Sequence, residues 1–97
     1  MSYRDDAPEI LRDFLSYHET IRAHSQRTVD EYYLDLRNFF RYMKRLRDPA
    51  LRTKELDEIS ILDVDIEFVK KITLSDIYDY LTFLSRERPQ QPNSRRT

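Results

Sequence analysis

The stretch SQRTVDEYYLDLRNFFRYMKR, residues 25–45, decides the fold of this chain. Its apolar side chains recur at steps of three, four and seven residues, which is the spacing of one face of an α-helix. At 100° per residue, they all fall within about 80° of one direction. These positions are Val29, Tyr32, Tyr33, Leu36, Phe39, Phe40 and Met43. The stretch therefore predicts a long helix with one face buried in a core.

A second set of side chains makes one side of this predicted helix basic. We call this set the basic flank, and it consists of Gln26, Arg27, Arg37, Arg41, Lys44 and Arg45. Periodicity alone leaves two interpretations open. The flank is either a solvated face whose cations pair with Asp30 and Asp35, or a surface that contacts the phosphates of DNA. In the second case, Ser25 and Thr28 at the helix N-terminus offer hydroxyl and N–H groups to the same phosphates.

Composition indicates one small all-α domain. A chain of 97 residues is the length of a single domain, and it contains neither cysteine nor glycine. Without cysteine it has no disulfide and no thiolate metal site. Without glycine, β-hairpin turns, phosphate-binding loops and dinucleotide-binding motifs are disfavoured. No apolar run is long enough to span a bilayer and no signal peptide is evident, so we expect a cytoplasmic protein without membrane contact.

Charge is distributed unevenly along the chain. Residues 25–54 carry a net charge of +4 and residues 88–97 a net charge of +3, whereas residues 1–24 and 55–87 carry −2 and −6. The total of −1 does not suggest a nucleic-acid partner. Two basic segments separated by acidic ones are compatible with such a partner if folding brings them to one face.

The residues before the long stretch predict a first helix over residues 8–23. Asp5, Asp6 and Pro8 are typical of a helix start. Its inward face is predicted to consist of Ile10, Leu11, Phe14, Leu15, His18 and Ile21. For the second helix, two N-caps compete: Ser25, or Thr28 with Glu31 completing a capping box. We favour Ser25 and expect the helix to end near Leu46, before Asp48-Pro49.

A connector at residues 47–64 follows, anchored by apolar side chains at Ile59, Ile61, Leu62 and Val64. A short helix is predicted at residues 65–71, with Ile66, Val69 and Ile72 turned inward. Thr73 is the predicted N-cap of the last helix, which extends to about Glu87. Its buried face is predicted to be Leu74, Ile77, Tyr78, Leu81 and Leu84, with Tyr80 and Phe83 at the edges. We expect a disordered N-terminus at residues 1–6, the helical domain at 7–88 and a basic linker at 89–97.

No pattern in the sequence predicts an active site or a cofactor. His18 lies on an apolar helix face and His24 in a turn, and neither belongs to a nucleophile–base arrangement or a metal-ligand motif. The acidic run at residues 63–67 lacks the spacing of a calcium loop. The seven tyrosines fall mostly at helical core spacing. We therefore expect no bound cofactor, no metal and no catalytic residue.

Several short motifs resemble one known family. The signature formed by Ser25, Thr28, Tyr32, Asp35, Leu36 and Phe39 is similar to the start of the second helix in the N-terminal core-binding, SAM-like domain of tyrosine recombinases. This domain occurs in phage integrases and Xer-type recombinases. Residues 10–17 resemble the first helix of the domain, residues 72–81 its third, and residues 93–97 the approach to its last. The order of the elements agrees over most of residues 8–97.

The resemblance implies a small helical bundle that forms half of a clamp around duplex DNA at a recombination half-site. In the family, the other half is a catalytic domain with a tyrosine nucleophile, which this chain lacks, so the chain itself is expected to cleave nothing. It is also expected to stop before all or part of the last bundle helix. The implied partners are double-stranded DNA and, for the full-length protein, other recombinase protomers; the chain alone is expected to be a monomer.

Carried onto this sequence, the resemblance places the DNA-binding surface on the second helix and the C-terminal tail. The implied residues are Ser25, Gln26, Arg27, Thr28, Arg37, Arg41, Lys44, Arg95 and Arg96. Tyr32 and Phe39 are interpreted as core. The alternative function is a helical protein-interaction module, whose surface would be the acidic residues 55–67 or an apolar edge of the last predicted helix.

Overall fold

The chain is an all-α bundle in the computed structural model, which describes residues 6–87. Its helices are α1 (Glu9–Thr20), α2 (Gln26–Arg47), α3 (Ile66–Lys70) and α4 (Leu74–Glu87), with 3₁₀ turns at Pro49–Leu51 and Leu56–Glu58. No strand occurs in the described span. The predicted fold class, three main helices and a short one, is confirmed. The boundaries predicted for the domain remain predictions, because residues 1–5 and 88–97 lie outside the described part.

Helix α1 ends at Thr20, three residues before its predicted end. The N–H groups of Ile21 and Arg22 both donate to Tyr17 O, and His24 N–H donates to His18 O at 3.0 Å. Between them, Ala23 has a φ of 56°, in the left-handed region. A left-handed residue cannot continue a right-handed helix, so the chain reverses here and leads directly into α2.

The N-terminus of α2 is capped as the sequence predicted. Ser25 Oγ accepts the N–H of Thr28 at 3.1 Å, which is the geometry of an N-cap serine. The helix runs for 22 residues to Arg47, one residue beyond the predicted end. Asp48 then accepts the Ala50 N–H at 3.0 Å and starts a 3₁₀ turn at Pro49.

The core lies between α1, the apolar face of α2 and the connector. The buried apolar residues are Ala7, Leu11, Leu15, Val29, Tyr33, Phe40, Met43, Ile59, Ile61 and Val64. The last three come from the connector, which is therefore held to α2 by apolar burial as well as by polar contacts. Leu62, which was predicted to anchor the connector with them, is 55% exposed instead.

Helix α4 presents a different face to α2 from the one that its periodicity predicted. Four of the five residues predicted to be buried are 40–63% exposed: Leu74, Ile77, Tyr78 and Leu81, which we call the α4 stripe. The supposed edge residues make the contact, with Tyr80 5.0 Å from Phe39 and Phe83 4.9 Å from Tyr42 between ring centroids. Asn38 Nδ2 also donates to Tyr80 Oη at 2.9 Å. Aromatic rings have more apolar area to bury than leucine, and this polar contact fixes their side of the helix.

Three smaller expectations about inward side chains were also wrong. Phe14 and Ile21 of the predicted α1 face are 41% and 70% exposed, and Ile66 at the start of α3 is 50% exposed. Helix α3 itself is confirmed. Asp65 Oδ1 caps it by accepting the Phe68 N–H at 3.0 Å, and Phe68 rather than Ile66 points to the core, against Phe40.

Candidate functional site

The first turn of α2 brings four of the predicted DNA-binding residues together. Ser25 caps the helix, and Gln26 Nε2 donates to Asp30 Oδ1 at 2.8 Å. Arg27 has a side chain that is 89% exposed, and its Nε lies 3.4 Å from a carboxylate oxygen of Glu31. An exposed pair of this kind is weak and gives up its cation to a stronger anion at little cost. The turn therefore offers an amide, a guanidinium and the positive end of the helix dipole to solvent.

Arg41 and Lys44 hold the connector against α2. Arg41 Nε donates to Ile59 O at 2.9 Å, and Lys44 Nζ donates to Ser60 O at 2.7 Å and to Asp63 Oδ1. The Lys44 side chain is only 18% exposed. Burial lowers the pKa of Arg41, and the positive charge of Arg37 lowers it further. These two cations therefore have a structural role, because they fix the connector to α2. Helical periodicity does not reveal this role.

Arg37, in the middle of α2, contacts residues near the N-terminus of the domain. Its Nη1 lies 3.6 Å from Asp6 Oδ2 and donates to Tyr33 Oη at 3.4 Å. Tyr33 Oη in turn donates to Asp6 Oδ1. Burial raises the pKa of Tyr33, and the hydrogen bond to Asp6 raises it further. Arg37 thus joins the segment before α1 to the middle of α2.

The predicted site residues therefore form two groups and not one cluster. From Thr28 to Lys44 is sixteen residues, or about 24 Å along the helix axis. The first group is exposed at the N-terminus of α2. The second consists of Arg41 and Lys44, which lie against the connector, and Arg37, which contacts Asp6 and Tyr33. Arg95 and Arg96 lie outside the described residues.

Arg47 makes a structural contact that the sequence interpretation missed. It donates from Nη2 to Lys71 O at 2.7 Å and lies 3.4 Å from Asp76 Oδ2, while its guanidinium sits 5.0 Å from the Phe68 ring centroid. The last turn of α2 is thereby linked to the end of α3 and the start of α4. Cations commonly bind carbonyls at helix C-termini, so an arginine just before Asp48-Pro49 was a usable signal.

The two histidines meet at the turn between α1 and α2. Their rings stack with centroids 5.3 Å apart, and Tyr32 lies edge-on to both. His18 Nδ1 is buried and makes no hydrogen bond within residues 6–87. Burial lowers the pKa of His18, and the charges of His24 and Arg22 lower it further. The pair is a packing feature of the turn.

Two open cavities lie beside α2. One, of about 710 Å³, runs between α2 and α4 and is lined by Leu34, Asp35, Arg37, Asn38, Tyr80, Leu81 and Leu84. The other, of about 550 Å³, is at the C-terminal end of α2 and is lined by Tyr42, Arg45, Leu46 and Arg52.

Between residues 6 and 87, no three histidine or carboxylate side chains are grouped so that they could hold a metal ion. In the same span, no helix has the length and apolar content needed to cross a membrane.

Comparison with known proteins identifies one informative relative. The chain is 41% identical over 88 residues to tyrosine recombinase XerC of Caldanaerobacter subterraneus subsp. tengcongensis. The match covers 91% of this chain and 25% of the recombinase, so the chain spans about a quarter of the length of that relative. No protein-family model and no solved structure matches the chain. The resemblance to tyrosine recombinases is confirmed over nearly the whole chain.

Proposed function

We propose, from its relationship to the tyrosine recombinases, that this chain binds duplex DNA as part of a site-specific recombinase and does so at one half-site of a recombination sequence. The observation that carries the proposal is the 41% identity to a tyrosine recombinase over 91% of the chain. Strand cleavage, rejoining and association with other protomers belong, in this proposal, to the full-length protein. The part played by the present chain is to position that protein on DNA.

The first proposed contact is the N-terminal turn of α2. Anions bind at helix N-termini because the dipole and the free N–H groups both favour negative charge. Ser25, Gln26, Arg27 and Thr28 surround this end of the helix with hydroxyl, amide and guanidinium groups. Such groups contact phosphate and do not by themselves read base sequence.

The second proposed contact uses the donors that the connector leaves free. A guanidinium has five N–H donors, and Arg41 directs its Nε to Ile59 O. The ammonium of Lys44 has three donors, of which two are directed to Ser60 O and Asp63. In this proposal the connector orients Arg41 and Lys44 toward a phosphate, and Asp6 and Tyr33 orient Arg37. Arg95 and Arg96 add backbone contacts.

The direct test is a fluorescence-anisotropy titration with a labelled duplex at a series of salt concentrations. With roughly four to six phosphate contacts, the logarithm of affinity should fall against the logarithm of salt with a slope of about −4 to −5. Absence of binding at low salt, or affinity that does not change with salt, would overturn the proposal.

A matched pair of variants tests the N-terminal contact. Arg27→Gln should reduce the salt slope by about 1, because one phosphate contact is lost. Glu31→Gln removes the carboxylate beside Arg27 and should strengthen binding slightly at every salt concentration. Equal affinities for both variants and the wild type would exclude this turn from the interface.

The exposed α4 stripe supports a second candidate function, contact with another protein. Its four apolar side chains are spaced as one face of a helix, and each is at least 40% exposed. Exposed contiguous apolar surface is typical of protein-interaction sites. Sedimentation separates the two candidates: we expect a monomer that responds to DNA, whereas a stable dimer that dissociates on Ile77→Glu, with no response to DNA, would favour the second.

A further inference from the structure

The cations of residues 25–54 differ in their partners within the described residues. Arg27, Arg37, Lys44 and Arg47 each pair with a carboxylate, and Arg41 donates to Ile59 O. Arg45, Arg52 and Lys54 form no salt bridge within the described residues. We call these three residues the C-terminal basic patch.

Main-chain contacts bring the C-terminal basic patch together. Arg45 Nη1 donates to Lys54 O at 3.2 Å, and Arg52 Nη2 lies 3.5 Å from Leu46 O. Both guanidiniums line the open cavity of about 550 Å³ at the end of α2. Arg45 also lies over the Phe83 ring, 5.5 Å from its centroid. Each guanidinium has five donors, so most of them remain available for a ligand in the cavity.

Carboxylates close to the patch in sequence bind backbone N–H groups instead of its cations. Asp48 Oδ1 accepts the Ala50 N–H and caps a 3₁₀ turn. The Glu55 side chain takes part in a capping box with Glu58. Arg45 and Arg52 thus lie beside an open cavity, and the main chain of Lys54 is bound to Arg45. The acids near them in the chain accept hydrogen bonds from backbone N–H groups. This arrangement fits an anion supplied by a partner.

We propose that the C-terminal basic patch binds backbone phosphates of the same DNA duplex, as a further contact at the far end of α2. The inference rests on the proposed function, because it takes DNA to be the partner. Arg27 and Arg45 are eighteen residues apart, which is five full helical turns, so both lie on the same side of α2 and about 27 Å apart. That separation is less than one turn of B-DNA, about 34–36 Å.

The test compares two double variants with the same loss of charge in the duplex titration. Arg52→Gln/Lys54→Gln removes two exposed cations of the patch. Lys70→Gln/Lys71→Gln removes two exposed cations from the end of α3, which Arg47 binds on the opposite side of α2 from Arg45. Circular dichroism checks that both variants fold. We expect the first variant to reduce the salt slope by about 2 and the second to leave it unchanged.

Each other outcome has a distinct meaning. If both variants bind like the wild type while Arg27→Gln binds more weakly, the patch is overturned and the proposed function stands. If both variants lose affinity equally, net charge explains the loss and the patch is again overturned. If the wild type itself does not bind duplex DNA, the proposed function fails and this inference fails with it. Arg45→Lys keeps the charge in the patch and should retain the wild-type salt slope.

Discussion

Ala23 stands where the chain needs a left-handed residue. Its φ of 56° reverses the chain between α1 and α2, and a Cβ is disfavoured at that angle. Ala23→Gly should therefore raise the free energy of unfolding by about 0.5–1 kcal/mol. The relief of strain in the folded state should exceed the entropy that glycine adds to the unfolded chain.

Chemical denaturation measures this change, and Ala50→Gly is the matched control. Ala50 lies in a 3₁₀ turn, and Ala23 is the one non-glycine residue with positive φ between residues 6 and 87. Glycine at position 50 should thus lower stability slightly. A loss of stability on Ala23→Gly would contradict the strain argument.

His18 should make the stability of the domain depend on pH. Burial lowers its pKa in the folded state, so the unfolded chain binds more protons between that folded value and about 6.5. The free energy of unfolding should therefore increase as pH rises through this window, and be lower on the acidic side of it.

His18→Phe isolates the contribution of this histidine. Phenylalanine keeps an aromatic ring beside Phe14 and Tyr32 but does not titrate. Urea denaturation at several pH values between 5 and 7.5 should show that the free energy of unfolding changes less with pH in the variant than in the wild type. Parallel profiles would show that the folded and unfolded states bind the His18 proton equally.

At the scale of elements, the polar ends of the helices determine how α3 and α4 join α2. Thr73 Oγ1 accepts the Asp76 N–H at 3.1 Å, and Asp76 Oδ2 accepts the Thr73 N–H at 2.9 Å, which is a reciprocal capping box. Arg47 reaches the same carboxylate from α2. One arginine thus links three helices through their termini.

Arg47→Met tests this link. The substitution keeps an apolar stem near Phe68 but removes every donor, and we expect a loss of about 1–2 kcal/mol in unfolding free energy. Hydrogen exchange should accelerate most in α3 and the first turn of α4. Arg52→Met is the control, because within residues 6–87 its exposed guanidinium reaches only Leu46 O, and it should cost less than about 0.5 kcal/mol.

Asp76 gives the α4 cap a pH dependence of the same direction as that of His18, but at lower pH. Hydrogen bonding to the Thr73 N–H is the largest influence on the pKa of Asp76 and lowers it. Burial opposes this lowering, and the Thr73 hydroxyl and Arg47 add to it. The carboxylate therefore stabilises the fold above about 3.9, the ordinary aspartate pKa, and this stability is lost as pH falls through the lower folded pKa. Asp76→Asn should destabilise the protein at pH 7, and the difference should shrink on acidification; a constant difference in denaturation experiments would contradict this.

At the scale of the whole molecule, local signals in the sequence predicted the elements better than their packing. Ser25 and Thr73 were predicted correctly as N-caps, because capping depends on neighbours within three residues. The roles of Arg41 and Lys44 could not be predicted in this way, since their partners lie in a connector whose path depends on the burial of Ile59 and Ile61. Their DNA contacts stay a prediction.

The orientation of α4 is the point on which periodicity and structure differ most sharply, and two neighbouring residues test it. Periodicity placed Leu81 in the core and Tyr80 at the edge, whereas Leu81 is 53% exposed and Tyr80 contacts Phe39 and Asn38. Truncating a partly buried aromatic ring that also accepts a hydrogen bond should cost about 2–3 kcal/mol, whereas truncating an exposed leucine should cost less than about 1 kcal/mol.

We therefore expect Tyr80→Ala to lower the free energy of unfolding much more than Leu81→Ala in parallel denaturation experiments. The comparison is well matched, because both substitutions leave alanine in the same turn of α4 and so change helix propensity in similar ways. The reverse order would mean that α4 is rotated in solution so that the α4 stripe faces α2. That rotation would remove the exposed apolar surface on which the protein-contact candidate depends.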